Sequence, residues 1–317
     1  MSEPVIIDTD PGLDDALALF LACASPKLEI LGITTVAGNL ALSGTTGNAL
    51  KLLHYLDRNE IPVIAGCAGP LRRESFEVAD IHGKDGLGGA ELPSPERQAL
   101  DIHAVEWLGE ELLRRPTNTV RILALGPLTN LAHLVESRPA AAKRISGIVA
   151  MGGAVREAGN VTEFAEFNIA TDPEAAAIVF GSGIPVTLVP LDVTRKVLAD
   201  REWNAALLAG GGRIARMANG LIEAYLRNLV ARRVAKGAST HGLAAKFPMH
   251  DPCVILHALD PSLFRAEDLP LRVVTDGFER DGATVIDPHS KSLVEVLTGV
   301  DGDHALAFIL ERLTALP

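Results

Sequence analysis

Short β-rich runs alternate with stretches of helical periodicity along most of this chain, and that alternation limits its fold more than any other feature. Residues 4–7, 29–36, 62–65, 120–124, 147–150 and 185–189 are compact β-rich runs, each ending in a polar or glycine-rich turn. Between them, residues 13–24, 44–56, 102–113 and 173–180 carry apolar side chains at helical spacing with few breakers. Segments in that order build an open, mostly parallel central sheet flanked by helices, the α/β class. Residues 200–244 turn mostly helical, with 213–234 as one long helix after the Gly210, Gly211, Gly212 turn, and read as a cap over the sheet. Residues 271–275, 283–286 and 293–296 read as short C-terminal strands ahead of a last helix at about 304–313. No internal repeat or interdomain linker interrupts the pattern, so residues 1–317 are expected to form one domain.

Composition narrows the partners. With 48% hydrophobic residues the chain has ample core for a globular fold. A formal net charge of −11 disfavours nucleic acid and anionic membranes, both of which are held by Lys and Arg, and suits a cation or a neutral small molecule. Cys23, Cys67 and Cys253 are odd in number, widely spaced and form no CxxC pair, so they read as core thiols. The start MSEPVIIDTD has no basic, apolar leader, and no apolar run approaches the ~20 residues that cross a bilayer; the expected location is cytoplasmic.

The strongest chemical signal is VIIDTDPGLDDALALFLA, which sets Asp8, Asp10, Asp14 and Asp15 where the first strand gives way to a helix. Ligands of open α/β sheets bind at such strand ends. Four crowded carboxylates repel one another and must either retain protons at unusually high pH or share a cation. Ca²⁺, which takes about 6 to 8 oxygen ligands, is the first candidate, and ligand type alone leaves Mg²⁺ open. The plainer reading has Asp14 and Asp15 serving the helix dipole and Asp8 and Asp10 the turn; it suits any one aspartate better than all four beside Pro11 and Gly12. The same opening resembles haloacid-dehalogenase-type phosphatases, which use a nucleophilic aspartate and a second one two residues later.

Other polar groups fall at further strand ends: Asn39 after the second, ALGPLTN with the Leu125 carbonyl as a possible oxygen ligand, and Met151 in AMGG. In GNVTEFAEFNIATDPEAA, Asn160, Glu166 and Asn168 offer groups suited to the vicinal hydroxyls of a sugar, although each alone is also ordinary loop chemistry, and Asp172 before Pro173 reads as a helix cap. PMHDPC places His250 beside Asp251, an acid candidate next to a metal-ligand candidate, and His82 in HGKDGLGG is a second acid candidate.

In their order, DTDPGLDDALAL, VAGN, HGKDGLGG, LGPLTN, MGGAV, GNVTEFAEFNIATDPEAA and MHDPC resemble the inosine-uridine-preferring nucleoside hydrolase family, over residues 4 to about 257. The resemblance implies an enzyme that hydrolyses the N-glycosidic bond of ribonucleosides. It implies that Asp10, Asp15, the Leu125 carbonyl and Asp251 hold Ca²⁺ and that Asp10 is the general base. Asp14, Asn39, Asn160, Glu166 and Asn168 would then bind ribose, with Met151 lining the sugar site, while His82 and His250 face the base, His250 being the first candidate for the leaving-group acid. Asp8 would support the ligands from behind, and the assembly would be a homodimer or homotetramer. A phosphatase would also need a downstream Lys and a further acidic pair for Mg²⁺, and it leaves the GNVTEFAEFNIATDP segment without a role; a nucleoside-binding protein without turnover is the remaining alternative. DGFERDGATVID departs from the threonine-arginine-glycine turn usual in the family, which bears on substrate preference or assembly rather than on the assigned residues. Base selectivity should lie in residues 76–89 and 213–241; Trp203, Tyr225 and His241 are its candidates, each read first as structural.

Overall fold

The computed structural model describes residues 2–74, 79–235 and 246–316, so His241 lies outside the described residues. Nine strands form one sheet: β1 (Glu3–Thr9), β2 (Leu28–Thr35), β3 (Val63–Ala65), β4 (Val120–Ala124), β5 (Ile145–Met151), β6 (Val186–Val189), and, beyond the small pair β7 (Leu198–Ala199) and β8 (Phe247–Pro248), β9 (Phe264–Val273), β10 (Thr284–Ile286) and β11 (Leu293–Val300). Their spatial order is β10-β9-β11-β6-β5-β4-β1-β2-β3. All neighbours from β3 to β11 run parallel; β9 and β10 are added antiparallel at the far edge.

Strand alternation splits the core in two. Val5 and Ile7 of β1, Leu123 of β4 and Val149 and Met151 of β5 pack with the Leu13–Cys23, Arg213–Ala235, Pro252–Leu259 and Gly302–Ala315 helices. Ile6, Ile122, Ile148 and Ala150 face the opposite way, onto the Ala104–Arg114, Thr129–Ser137 and Pro173–Phe180 helices. Both faces of the central strands are therefore apolar, which is why β1 reads VII rather than alternating with polar residues. Each fully buried Val, Leu, Ile or Met among them contributes roughly 1.5–3 kcal/mol.

From β1 the chain winds outward to β2 and β3, then returns across to β4 and winds the other way. The connections diverge between β1 and β4, and the crevice at the carboxyl ends of these strands is where α/β sheets bind ligands. Asp10, Asn39 and Leu125 all follow strands at this point.

The C-terminal strands differ from expectation. β9 begins at Phe264 rather than Leu271, and β11 extends to Val300. The segment FRAEDL is charged and largely exposed, so it lacks an apolar alternation; its strand conformation comes from pairing with β11. The cap is present as the Arg201–Ala209 and Arg213–Ala235 helices, the second lying against the His82 loop: Asn228 Nδ2 donates to the Ile81 carbonyl at 2.8 Å.

Candidate active site

Asp10 leaves β1 toward the crevice with its carboxylate lodged between Gly38 and Gly126. A Cβ at either glycine would collide with an Asp10 oxygen. Oδ2 accepts the Asn39 amide N–H at 2.7 Å, while Asn39 Nδ2 donates to the Asp10 carbonyl at 3.2 Å and to Asp15 Oδ2 at 3.1 Å. Asp15 also accepts from Thr9 Oγ1 at 2.5 Å and from the Gly12 N–H at 2.9 Å, so it both caps the Leu13–Cys23 helix and faces the site. Asn39 thus orients two carboxylates, a different contact from the ribose contact expected of it.

Carboxylate oxygens of Asp14, Asp15 and Asp251 lie within 4.8 Å of one another. Asp251 precedes Pro252 at the start of its helix, yet its side chain makes no cap hydrogen bond, whereas Asp172, Asp200 and Asp301 in equivalent positions cap theirs. Burial, then repulsion from Asp15, pushes Asp14 up to about 8. Burial and its carboxylate neighbours likewise raise Asp10 and Asp251 well above the ordinary range. Groups so crowded either retain protons at unusually high pH or share a cation that favours their ionised forms. The donor set, all carboxylate and carbonyl oxygen, fits a hard divalent ion. Asp14, expected at the ribose, belongs geometrically to this carboxylate group.

The Leu125 N–H donates to the Asp8 carbonyl at 2.7 Å, which brings the Leu125 carbonyl to the crevice. That carbonyl accepts Asn168 Nδ2 at 2.7 Å; the same amide nitrogen reaches the Met151 carbonyl at 3.2 Å and its sulfur at 3.5 Å. A carbonyl oxygen has two lone pairs, so one remains for a ligand. Glu166, 2% exposed, accepts the Gly153 and Ile169 N–H groups at 3.0 and 3.2 Å through Oε2 and is pushed up to about 7 by burial. Its charge also raises Asp14, which puts the two in one field. Asn160 is exposed and accepts the Phe167 N–H at 2.9 Å, closing its own loop at the rim of the site.

The two histidines differ. His82 Nδ1 accepts the Leu13 N–H at 3.1 Å and thereby finishes the start of the Leu13–Cys23 helix. His250 Nδ1 lies 2.7 Å from Thr194 Oγ1, and burial, followed by the positive charge of Arg195, lowers it to about 3. It is therefore a neutral imidazole in this site, suited to hydrogen bonding and not to storing a positive charge. Trp203 is structural, its Nε1 donating to the Leu306 carbonyl at 3.0 Å. Tyr225 packs edge-on to Phe247 at 4.8 Å, and burial, then the charge of Asp14, raises its phenol.

Sequence reasoning passed over several residues that hold this arrangement. Asn130 and Thr34 donate to the Asp8 carboxylate, the first at 2.8 Å. Asp192 accepts the Val155 and Arg156 N–H groups at 2.9 and 2.7 Å, and Thr284 bonds both the N–H and the carbonyl of Ala154. Asn130 was visible inside LGPLTN; Asp192 and Thr284 sit in segments without a motif. The DGFERDGATVID segment is also nearer the site than expected: Thr284 and the Ala165–Ala283 bridge buttress the Met151–Glu166 loop, and Asp281 pairs with Arg73, which also holds Glu174 at 2.7 Å.

Buried carboxylates at a β1/β4 crevice, backed by strand-end amides, define an acidic, oxygen-rich site in a doubly wound fold. The model of the family described as inosine-uridine preferring nucleoside hydrolase matches residues 5–307, and the chain belongs to that family. It is 41% identical to the pyrimidine-specific ribonucleoside hydrolase RihA of Photobacterium profundum, over 90% of this chain and 89% of the relative. The plant nucleoside hydrolase PpNRh1 superposes with a TM-score of 0.90 at 34% identity, covering 99% of this chain and all of the other. A purine-preferring ribonucleoside hydrolase from Gardnerella vaginalis gives the same TM-score at 30% identity, with 99% of each chain covered. The protein is accordingly an N-ribosyl hydrolase of nucleosides, and the phosphatase reading is not favoured. No helix among the described residues is long and apolar enough to cross a membrane.

Proposed function

We propose that this chain hydrolyses ribonucleosides to free base and ribose with Ca²⁺ held by Asp10, Asp15, the Leu125 carbonyl and Asp251, and with Asp10 as general base. The convergence of Asp10, Asp14, Asp15 and Asp251 in one buried field carries this reading. An ion held by these residues would supply Lewis acidity, the chemistry that lowers the pKa of a water. Asp10, fixed by Asn39 and its glycine cradle, is oriented to take the proton of the water attacking the anomeric carbon.

Loss of the base leaves an oxocarbenium-like ribose, and the negative field of Asp14 and Glu166 stabilises that charge as it develops. Asp14, Asn160, Glu166 and Asn168 are the ribose-binding groups in this reading, with Asn39 contributing through the carboxylates it orients and Met151 forming the wall of the sugar site. His250 assists the departing base by hydrogen bonding from its neutral ring, relayed to Thr194, and His82 stands beside it as the second candidate. The acidic pocket repels a 5′-phosphate, so nucleosides are preferred to nucleotides. The RihA relatives make uridine and cytidine the first substrates to try, in a cytoplasmic enzyme of nucleoside salvage that forms a homodimer or homotetramer.

Chromatography of free base and ribose from uridine, cytidine, inosine and their 5′-monophosphates, with Ca²⁺ or chelator, tests this. Asp10→Asn should lower kcat by about 10²–10⁴-fold, the usual worth of a positioned general base. Chelator-resistant turnover, or a fully active Asp10→Asn, would sink the assignment.

A further inference from the structure

Asn130 is wholly buried in the first turn of the Thr129–Ser137 helix, and its side chain uses both ends of its amide. Nδ2 donates to Asp8 Oδ1 at 2.8 Å and to the Thr35 carbonyl at 3.1 Å, while Oδ1 accepts the Cys67 N–H at 2.8 Å. Asp8 lies near the end of β1, Thr35 ends β2, Cys67 follows β3, and Asn130 itself follows β4. One amide therefore joins four consecutive strand ends of the sheet, where the ladder rungs Thr9–Thr35 and Asp8–Ala124 are running out. A Cβ on Gly66 would fall on this amide, so the chain keeps a glycine where Asn130 sits. Next to it, Thr129 Oγ1 donates at 2.7 Å to Asp172, which also takes the Leu71 N–H at 2.8 Å.

We infer that Asn130 is a positioning residue: by pinning Asp8 and Thr35 it fixes the register between the β1 exit, which delivers Asp10, the β2 exit, which delivers Asn39, and the β4 exit, which delivers the Leu125 carbonyl. The inference rests on the metal set proposed above. Asp8 is tied to Leu125 through its carbonyl and to Asn130 through its carboxylate, so a shift at Asn130 reaches two proposed ligands at once. None of Asn130, Asp8, Thr35 and Cys67 is among the groups proposed to bind ribose. Residues that orient metal ligands from behind are typically worth about 10–100-fold in metal affinity or activity.

Asn130→Asp keeps the shape and the acceptor for Cys67 but removes both donors. In folded protein, checked by circular dichroism and thermal melting, it should weaken Ca²⁺ binding measured by calorimetry without nucleoside by about 10–100-fold, and lower kcat more than it raises KM. A lower Tm with Ca²⁺ affinity and kcat within about twofold of wild type would make Asn130 a merely structural residue and overturn the inference. If the aspartate variant does not fold, Asn130→Ser, too short to reach Asp8, is judged by the same two readouts. A wild-type protein that turns over nucleosides yet binds no Ca²⁺ would overturn the metal set instead, and an unchanged kcat in the Asn130 variants would then still count against Asn130.

Discussion

At Asp10 the side chain that matters most is placed by residues that have none. Gly38 and Gly126 leave the carboxylate its only room, and an alanine at position 126 would put a methyl where Oδ1 lies. Gly126→Ala should therefore rotate Asp10 away and lower kcat by about 10²-fold or more, with far less effect on stability than on turnover. Steady-state kinetics beside a thermal melt decide it, since a variant with wild-type kcat shows that the cradle does not position Asp10. Much at this scale was legible: Asp10, Asp14, Asp15, Asp251, Glu166, Asn168 and Met151 were all named from sequence and all meet at one crevice. What each touches was not legible, because an amide such as that of Asn39 can serve a carboxylate or a sugar equally well until its neighbours are known.

Between elements, the site is held by loops that reach across the sheet. Thr284, at the start of the edge strand β10, bonds both backbone groups of Ala154 after β5, at 3.0 and 2.9 Å. Thr284→Val keeps the shape and strands two buried backbone groups, a loss of about 2–3 kcal/mol. It should also raise KM, because Met151 and Glu166 flank the loop thereby loosened. Urea unfolding with nucleoside kinetics measures both, and a stability unchanged within error refutes the buttress. The parallel core was readable in its strands and helices, since apolar runs bounded by turns mark them locally. β9 was readable only in part, because FRAEDL becomes a strand through its partner β11 and not through its own pattern.

For the whole molecule, a site of crowded buried carboxylates couples metal to stability. Ca²⁺ at a hundred times its Kd should stabilise the fold by about 2.7 kcal/mol, raising Tm by several degrees over chelator-treated protein. Identical melts with and without Ca²⁺ would remove the ion from the native site. A separate acid sensitivity arises at His257, whose buried ring packs edge-on to Phe264 with Nδ1 lacking a hydrogen-bond partner among the described residues. Burial holds its pKa below the ordinary 6.5, so the unfolded chain takes the proton more readily and stability is lost as pH falls below about 6.5. His257→Leu should show a shallower fall in Tm between about pH 7 and pH 5 than wild type, and parallel slopes would clear His257 of that role. The sequence by itself determined the α/β class, the acidic crevice at the first strand end and the family, because short-range periodicity and contiguous motifs encode them. Only the tertiary structure decided that Asp14 stands with Asp15 and Asp251, that His250 is neutral, and that Asn130 and Thr284 brace the site. Those facts depend on burial and on contacts between segments as far apart in the chain as Asp14 and Asp251, which no local pattern records.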